Sequence, residues 1–375
     1  MNLQPYHDQF NTNQNDAIYL NHAAVSPLSR RCATAMQQAI EWNCDLTPEN
    51  WIKFIGRLQY CREAIARMLN VEPGDVALSR NTTEGINWVA NGLDWRKGDR
   101  IVTVEGEYPA NIYPWMRLEE EKGIELVRIQ PQDARVPLEF IEQQLTPGTR
   151  LLSISFVEFS TGFRFDLEEV GRLCKEKGVL FLVDFIQGMG VFPLDLSKYN
   201  IDFAAGGAQK WLLGPQGAGF FYCPKASLDL LKVTTVGATS IVNWEPYAQY
   251  DFSLREDASR FEYGTPPTLP LIGLEASIEM LLEAGMENVR DQVKLLTDVL
   301  IDGATSKNYR CHSPRGEGEW SGIVILSHPN NSPKSVVEAL QSAGITAAER
   351  EGRIRLAPHF YQTEAQIQRV IDALP

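Results

Sequence analysis

The chain has 375 residues, 44% hydrophobic and 22% charged, with 28 Gly and 21 Pro. That apolar fraction excludes a disordered or low-complexity chain, and the length suits one large α/β domain with a smaller one. A formal net charge of −13 repels a phosphate backbone, so neither a nucleic acid nor an anionic membrane is an expected partner.

The opening stretch MNLQPYHDQFNTNQND is polar and acidic, without the basic start and apolar core of a signal peptide. The longest apolar run, around VLFLVDFI, is far too short to span a membrane. Cysteines 32, 44, 61, 174, 223 and 311 include no CxxC pair, so neither a disulfide framework nor a zinc site is expected. A reducing cytoplasm is the expected location.

In chain order, β-branched runs predict strands at Val76–Ser79, Arg100–Val104, Leu126–Ile129, Leu151–Phe156, Val179–Asp184, Asp202–Ala205 and Ala218–Cys223. Amphipathic stretches between them predict helices at Thr82–Asn91, Ala110–Lys122, Leu138–Gln144 and Leu167–Lys177. This alternation predicts an α/β fold with a mostly parallel sheet between helices. A less regular stretch, 233–260, leads to the break GTPP at Gly264–Pro267. Helices resume at Leu269–Glu283 and Glu287–Asp302. A compact unit then follows: strand Gly322–Ser327, helix Ser332–Ala343, strand Arg353–Ala357 and helix Thr363–Ala373. The expected organisation is an N-terminal arm over 1–18, a large domain over 19–260 and a small C-terminal α/β domain over 261–375. The polar loop 311–320 is expected to be exposed.

Three features could carry chemistry. Asp184 ends the apolar strand VLFLVD, at the strand end that lines the ligand crevice of an open parallel sheet. It is either a capping carboxylate or one reserved for a ligand. Lys210, in IDFAAGGAQKWLLGPQGAG, sits between glycine clusters next to apolar residues. It is either a surface lysine or an enclosed one whose amine is made nucleophilic by desolvation. Thr82 and Thr83 stand where a strand meets a helix, which serves either as an ordinary cap or as a phosphate site. Together, an amine, a buried carboxylate and an anion-ready helix start are what pyridoxal phosphate chemistry needs.

The runs YLNHAAVSP, VDFIQG, AQKWLLGPQG, RFEYGTPP and RIRLAPHFYQT resemble the class V aminotransferase family of fold-type I pyridoxal phosphate enzymes. The likeness spans nearly the whole chain. It is strongest to the branch of cysteine desulfurases, selenocysteine lyases and isopenicillin N epimerase-like proteins. The resemblance implies a seven-stranded sheet and pyridoxal 5'-phosphate as cofactor. It implies that Lys210 forms the Schiff base and moves the α-proton, that Asp184 pairs with the pyridine nitrogen, and that Gln187 contacts the phenolic oxygen. It implies a phosphate site at Thr83 and Thr82, with Gln209 alongside, and Tyr108 stacked on the ring. It also implies that Arg355 grips the substrate carboxylate and that Asn21 and His22 approach the substrate. Arg353 shares a strand face with Arg355, so one of the two has a structural role. Gly264 and Thr265 would reach the phosphate of a neighbouring subunit, making a homodimer with shared active sites. His359 is expected to be structural, and Trp42, Trp51 and Trp88 to lie in the core or a subunit interface.

The chain departs from the desulfurase pattern in places. Gly207-Ala208-Gln209-Lys210 replaces a Ser- and His-containing run, and Phe159 stands where an Asn is usual. The stretch GITAAEREGRIRLAP has no Cys to form a persulfide, and Cys311 is read as a bystander. The expected activity is therefore Cα deprotonation of an α-amino acid followed by β-elimination, as in a C–S lyase. Transamination or epimerisation is the alternative. A binding or regulatory protein that kept the fold without the chemistry is the alternative of another class.

Overall fold

A computed structural model describes residues 4–243 and 250–375. Residues 1–3 of the expected N-terminal arm and 244–249 of the irregular stretch lie outside the described residues.

The strands are β1 (Ile18–Tyr19), β2 (Val76–Ser79), β3 (Arg100–Val104), β4 (Glu125–Ile129), β5 (Thr149–Ser155), β6 (Leu180–Asp184) and β7 (Phe203–Gly207). They continue with β8 (Gly219–Tyr222), β9 (Arg310–Cys311), β10 (Val324–Ser327), β11 (Ile345–Thr346), β12 (Ala348–Arg350) and β13 (Arg353–Leu356). Seven form one sheet in the order β2-β8-β7-β6-β5-β3-β4, in which β8 alone runs antiparallel to its neighbours. The fold is the expected α/β class with a mainly parallel seven-stranded sheet. The pleat sends alternate residues to opposite faces. Val102, Leu152 and Val183 enter the larger core cluster, while Ile101, Leu151 and Leu182 enter a second one. Because both faces are covered, the central strands read as continuous apolar runs rather than alternating ones.

Two long helices, Arg30–Cys44 and Pro48–Leu69, were not among the predicted elements. Their start signals are nevertheless written in the chain. Ser29 accepts from the Cys32 N–H, and Thr47 accepts from the Asn50 N–H just ahead of Pro48. Both helices pack on Thr268–Ala284, whose apolar composition follows from burial on several sides. Arg57 of the second helix pairs with the buried Glu275 across that contact.

The C-terminal part is an antiparallel sheet ordered β12-β13-β10-β9. One face of it is covered by residues of Met286–Ser306, Pro333–Ser342 and Glu364–Ala373. Near the chain's start, β1 pairs in parallel with β11, and Asn21 bridges to Ala357. This pairing brings Asn21 alongside the strand that carries Arg355. The loop 311–320 corrects one expectation. Its middle is exposed, but Ser313 and Trp320 are buried, and Trp320 lies against Phe192 at 5.1 Å between ring centroids. A polar composition does not reveal that one aromatic residue anchors the loop.

Among the described residues, no helix is long and apolar enough to cross a membrane. Likewise, no group of three or more His, Cys, Asp or Glu side chains could hold a metal ion.

Candidate active site

The site forms where β6 and β7 end side by side, with Asp184 opposite Ala205. Asp184 is buried, and its Oδ1 accepts from the Ile186 N–H at 2.8 Å. Burial raises its pKa to about 6, held down by that N–H and by the Lys210 ammonium.

Lys210 lies in the tight turn between β7 and β8. The turn is closed by hydrogen bonds from Leu213 N–H to the Lys210 carbonyl and from Gly214 N–H to the Ala208 carbonyl. Outside segments clamp the same turn. Ser26 donates through Oγ to the Lys210 carbonyl at 2.5 Å and through its N–H to the Gln209 carbonyl at 2.7 Å. His359 Nε2 meets the Trp211 carbonyl at 2.9 Å. The Lys210 side chain is buried, makes no ion pair among the described residues, and sits 5.2 Å above the centroid of the Tyr108 ring. Burial lowers its pKa to about 8. Asp184 opposes that shift, whereas the charges of Arg355 and Arg350 add to it. Near neutral pH this leaves roughly 300-fold more free amine than an exposed lysine carries.

Thr82 opens the helix Thr82–Gly92 behind an Asn81 cap that accepts from the Glu84 N–H at 2.9 Å. The Thr82 Oγ1 is buried and has no hydrogen-bond partner among the described residues. It faces Gly207, where an added Cβ would lie 3.2 Å from Thr82 Oγ1 and 2.7 Å from Gln209 Oε1. The Thr82 hydroxyl, Gly207 and Gln209 thus line one cradle at the positive end of a helix, suited to a phosphate. Thr83 is exposed and lines, with Asn87, Tyr108 and Tyr113, an adjoining open cavity of about 430 Å³.

Arg355 approaches from β13. It is 2% exposed, yet it has only long contacts, 3.5 Å from Nη1 to the Phe159 carbonyl and 3.5 Å from Nη2 to Asn21 Oδ1. Its Nε has no hydrogen-bond partner among the described residues. Burial lowers the guanidinium to about pKa 10. A buried, under-satisfied guanidinium without a carboxylate is costly, and a carboxylate ligand would satisfy it in two-pronged fashion.

Lys210, Asp184, Tyr108, Arg355, Asn21, Thr82 and Gln209 are therefore brought together. His22 is not available to a substrate. It is fully buried, with Nδ1 donating to the Ala357 carbonyl at 2.7 Å and Nε2 taking the Tyr361 hydroxyl at 2.8 Å. Burial holds it neutral, and it serves as a packing pin. Gln187 is also engaged. Its Nε2 donates to the Ala23 carbonyl, and its Oε1 accepts from Trp211 Nε1 at 2.8 Å, leaving one amide hydrogen unassigned. Gly264 and Thr265 share a small cleft with Arg80, Glu84 and Trp88, which Lys210 does not line.

Sequence reasoning missed two carboxyls. Glu107 accepts from the Ser155 N–H and hydroxyl, and it neighbours Glu158, which is also buried. Burial pushes Glu107 up to about 7 and Glu158 well above the usual range, each raised further by the Asp184 charge. Burial of both favours their neutral forms, which lessens the like charge that Asp184 meets. The only signal was adjacency, since Glu107 precedes Tyr108 and Glu158 precedes Phe159.

The model of the family described as aminotransferase class-V matches residues 18–368. The chain belongs to the class-V aminotransferase family. Among its relatives, a probable cysteine desulfurase of Pyrococcus abyssi is 29% identical over 84% of this chain and 81% of its own length. An isopenicillin N epimerase of Streptomyces clavuligerus is 28% identical over 95% of this chain and 94% of its own. Among solved structures, the cystine C–S lyase C-DES in complex with its reaction product, cysteine persulfide, superposes with a TM-score of 0.88. It is 23% identical, covering 96% of this chain and 98% of that one. Class-V aminotransferases use pyridoxal 5'-phosphate, and this chain is an enzyme of that kind. Its own residues fit the cofactor: an orphaned Thr82 hydroxyl, a glycine-floored cradle, a buried carboxylate and an enclosed amine.

Proposed function

We propose that this class-V enzyme removes the α-proton of an α-amino acid and eliminates its β-substituent, as a C–S lyase without a persulfide-forming cysteine. The carrying observation is the hairpin before Arg355. Strands β12 and β13 are joined through Glu351 and Gly352 alone, with Arg350 directly opposite Arg353. Both turn residues adopt positive φ, at 50° and 70°. A two-residue turn has neither a thiol nor the length to carry one to a substrate sulfur. The nearest upstream candidate, Cys311, lies on β9, and burial pushes its thiol up.

Thr82, Thr83 and Gln209 would hold the cofactor's phosphate, Asp184 its pyridine nitrogen, Gln187 its phenolic oxygen, and Tyr108 the face of its ring. When bound, pyridoxal phosphate supplies a sink for the electrons of the bond broken at Cα. Arg355 binds the substrate carboxylate and fixes which Cα bond is presented. Lys210 accepts the α-proton at Nζ and can pass it to the departing thiolate, with a pKa close to the working range of a general base. Burial of Asp184 and Lys210 excludes water from that transfer.

The protomer is read as half of a homodimer. Trp51, Ile52, Tyr60 and Tyr113 are large apolar side chains left exposed, and Gly264 and Thr265 lie in a cleft apart from their own Lys210. All six cysteines are free, which supports a reducing cytoplasm.

Product analysis tests the reaction. From a cysteine conjugate, pyruvate, ammonia and a released thiol are expected in equal amounts. A keto acid that keeps the β-substituent would establish transamination, and an inverted enantiomer would establish epimerisation. Protein that stays colourless after pyridoxal phosphate is supplied would establish the non-catalytic alternative.

A further inference from the structure

Three arginines stand on one face of the β12–β13 hairpin. Arg350 is directly opposite Arg353, and Arg355 follows two residues along β13. Alternation sends Ile354 and Leu356 into the C-terminal core, so the arginine face looks the other way, toward Phe159 and Asn21. Among the described residues none of the three has a carboxylate within ion-pair distance, although Glu349 and Glu351 are sequence neighbours. Arg350 is exposed, and its one hydrogen bond is from Nη1 to the Glu349 carbonyl at 2.9 Å. With Lys210, Arg355 and Arg350 bring three cations to one mouth in a protein whose net charge is −13, and Arg353 stands beside Arg350 on the side toward His312. Like charges held together are unfavourable; Asp184 offsets Lys210, and one monoanionic α-carboxylate on Arg355 leaves Arg350 unmatched.

We propose that Arg350, with Arg353 beside it, forms a second anion subsite at the mouth of the Lys210 site, taking a carboxylate or sulfonate at the far end of the substrate's side chain. This rests on the reading of Arg355 as the α-carboxylate site and narrows the substrate class to amino acids carrying two anionic groups. Arg350 stands diagonal to Arg355 across the hairpin, about 7–8 Å apart on one face, so the two guanidinium groups lie within one small ligand's span. The hairpin is tight and its strands are paired, which fixes the spacing between the two subsites.

The test is a binding titration of the cofactor-loaded enzyme, followed through its visible spectrum, with aspartate and glutamate against the isosteric asparagine and glutamine. The acids are expected to bind about tenfold more tightly than the amides, the size of one charge-assisted hydrogen bond. Arg350→Gln should erase that preference while leaving the affinity for the amides unchanged, and Arg353→Gln should weaken it. Calorimetry on cofactor-free protein makes an independent comparison, with glutarate expected to bind more tightly than its monoamide in the wild type only. Equal affinity for acids and amides in both experiments overturns the subsite, even if the visible band shows that the cofactor reading stands. If the band never forms, the glutarate comparison decides the subsite alone. A preference that survives Arg350→Gln also overturns it.

Discussion

Arg355 shows what a single residue can disclose. Its burial without a counter-ion is tolerable only where a ligand completes it, because an unpaired guanidinium loses hydration that weak 3.5 Å contacts do not restore. Arg355→Ala is expected to raise KM for the amino acid about 100-fold, the equivalent of losing ~3 kcal/mol of paired charge-assisted hydrogen bonds. Steady-state kinetics check this, and an unchanged KM would assign the carboxylate to another group. Lys210 and Asp184 could be picked out in the sequence because their types and neighbours are unusual together, whereas Arg355 came from the family resemblance. Glu107 and Glu158 could not, since each is an ordinary acid until the fold buries it against the other. His22 was legible as a residue but not as a role. Whether it faces a substrate or packs depends on Ala357 and Tyr361, more than 300 positions away.

At the scale of elements, the seven strands of the large sheet, β10, β13 and most helices follow from local periodicity, whereas the short β1, β9, β11 and β12 were not predicted. The segment after Asp184 shows where local pattern ends. Gly190 adopts φ +98°, and a Cβ there would lie 2.2 Å from the Trp211 carbonyl oxygen. The turn after β6 therefore presses directly on the backbone that carries Lys210. Gly190→Ala is expected to cost about 3 kcal/mol, combining left-handed strain with a backbone clash. A lowered urea midpoint, together with a weakened cofactor band, is the expected pair of results. A stable variant with an unchanged band would show that the two loops do not depend on each other. The helices Arg30–Cys44 and Pro48–Leu69 carry clear caps, and their mixed composition makes sense only once Thr268–Ala284 covers one side.

At the scale of the whole molecule, His22 and His359 pin the N-terminal segment, the Lys210 turn and the C-terminal segment together. Burial lowers His359 to about 4, below the ordinary 6.5 of an unfolded chain. Between those values the unfolded chain binds a proton that the folded one refuses, so this contribution is present above pH 6.5 and lost as pH falls toward 4. Glu107, raised to about 7, acts in the opposite sense, so a difference between variants isolates the histidine. The stability advantage of wild type over His359→Asn is expected to shrink by up to about 3 kcal/mol from pH 7.5 to pH 4. Urea unfolding at both values measures it, and a gap independent of pH would place a protonated histidine in the seam.

By itself the sequence determined the sheet-and-helix alternation, the lysine set among glycines and apolar residues, the carboxylate at the strand end and the absence of a cysteine before Arg355. These depend on residue type, spacing and neighbours, which are local properties of a chain. Only the tertiary structure decided that two glutamates are buried side by side, that His22 packs, that a two-residue turn closes the hairpin, and that Arg350 joins Arg355 on one face. Each of those depends on burial and through-space distance, which arise when segments far apart in the chain exclude water from one another.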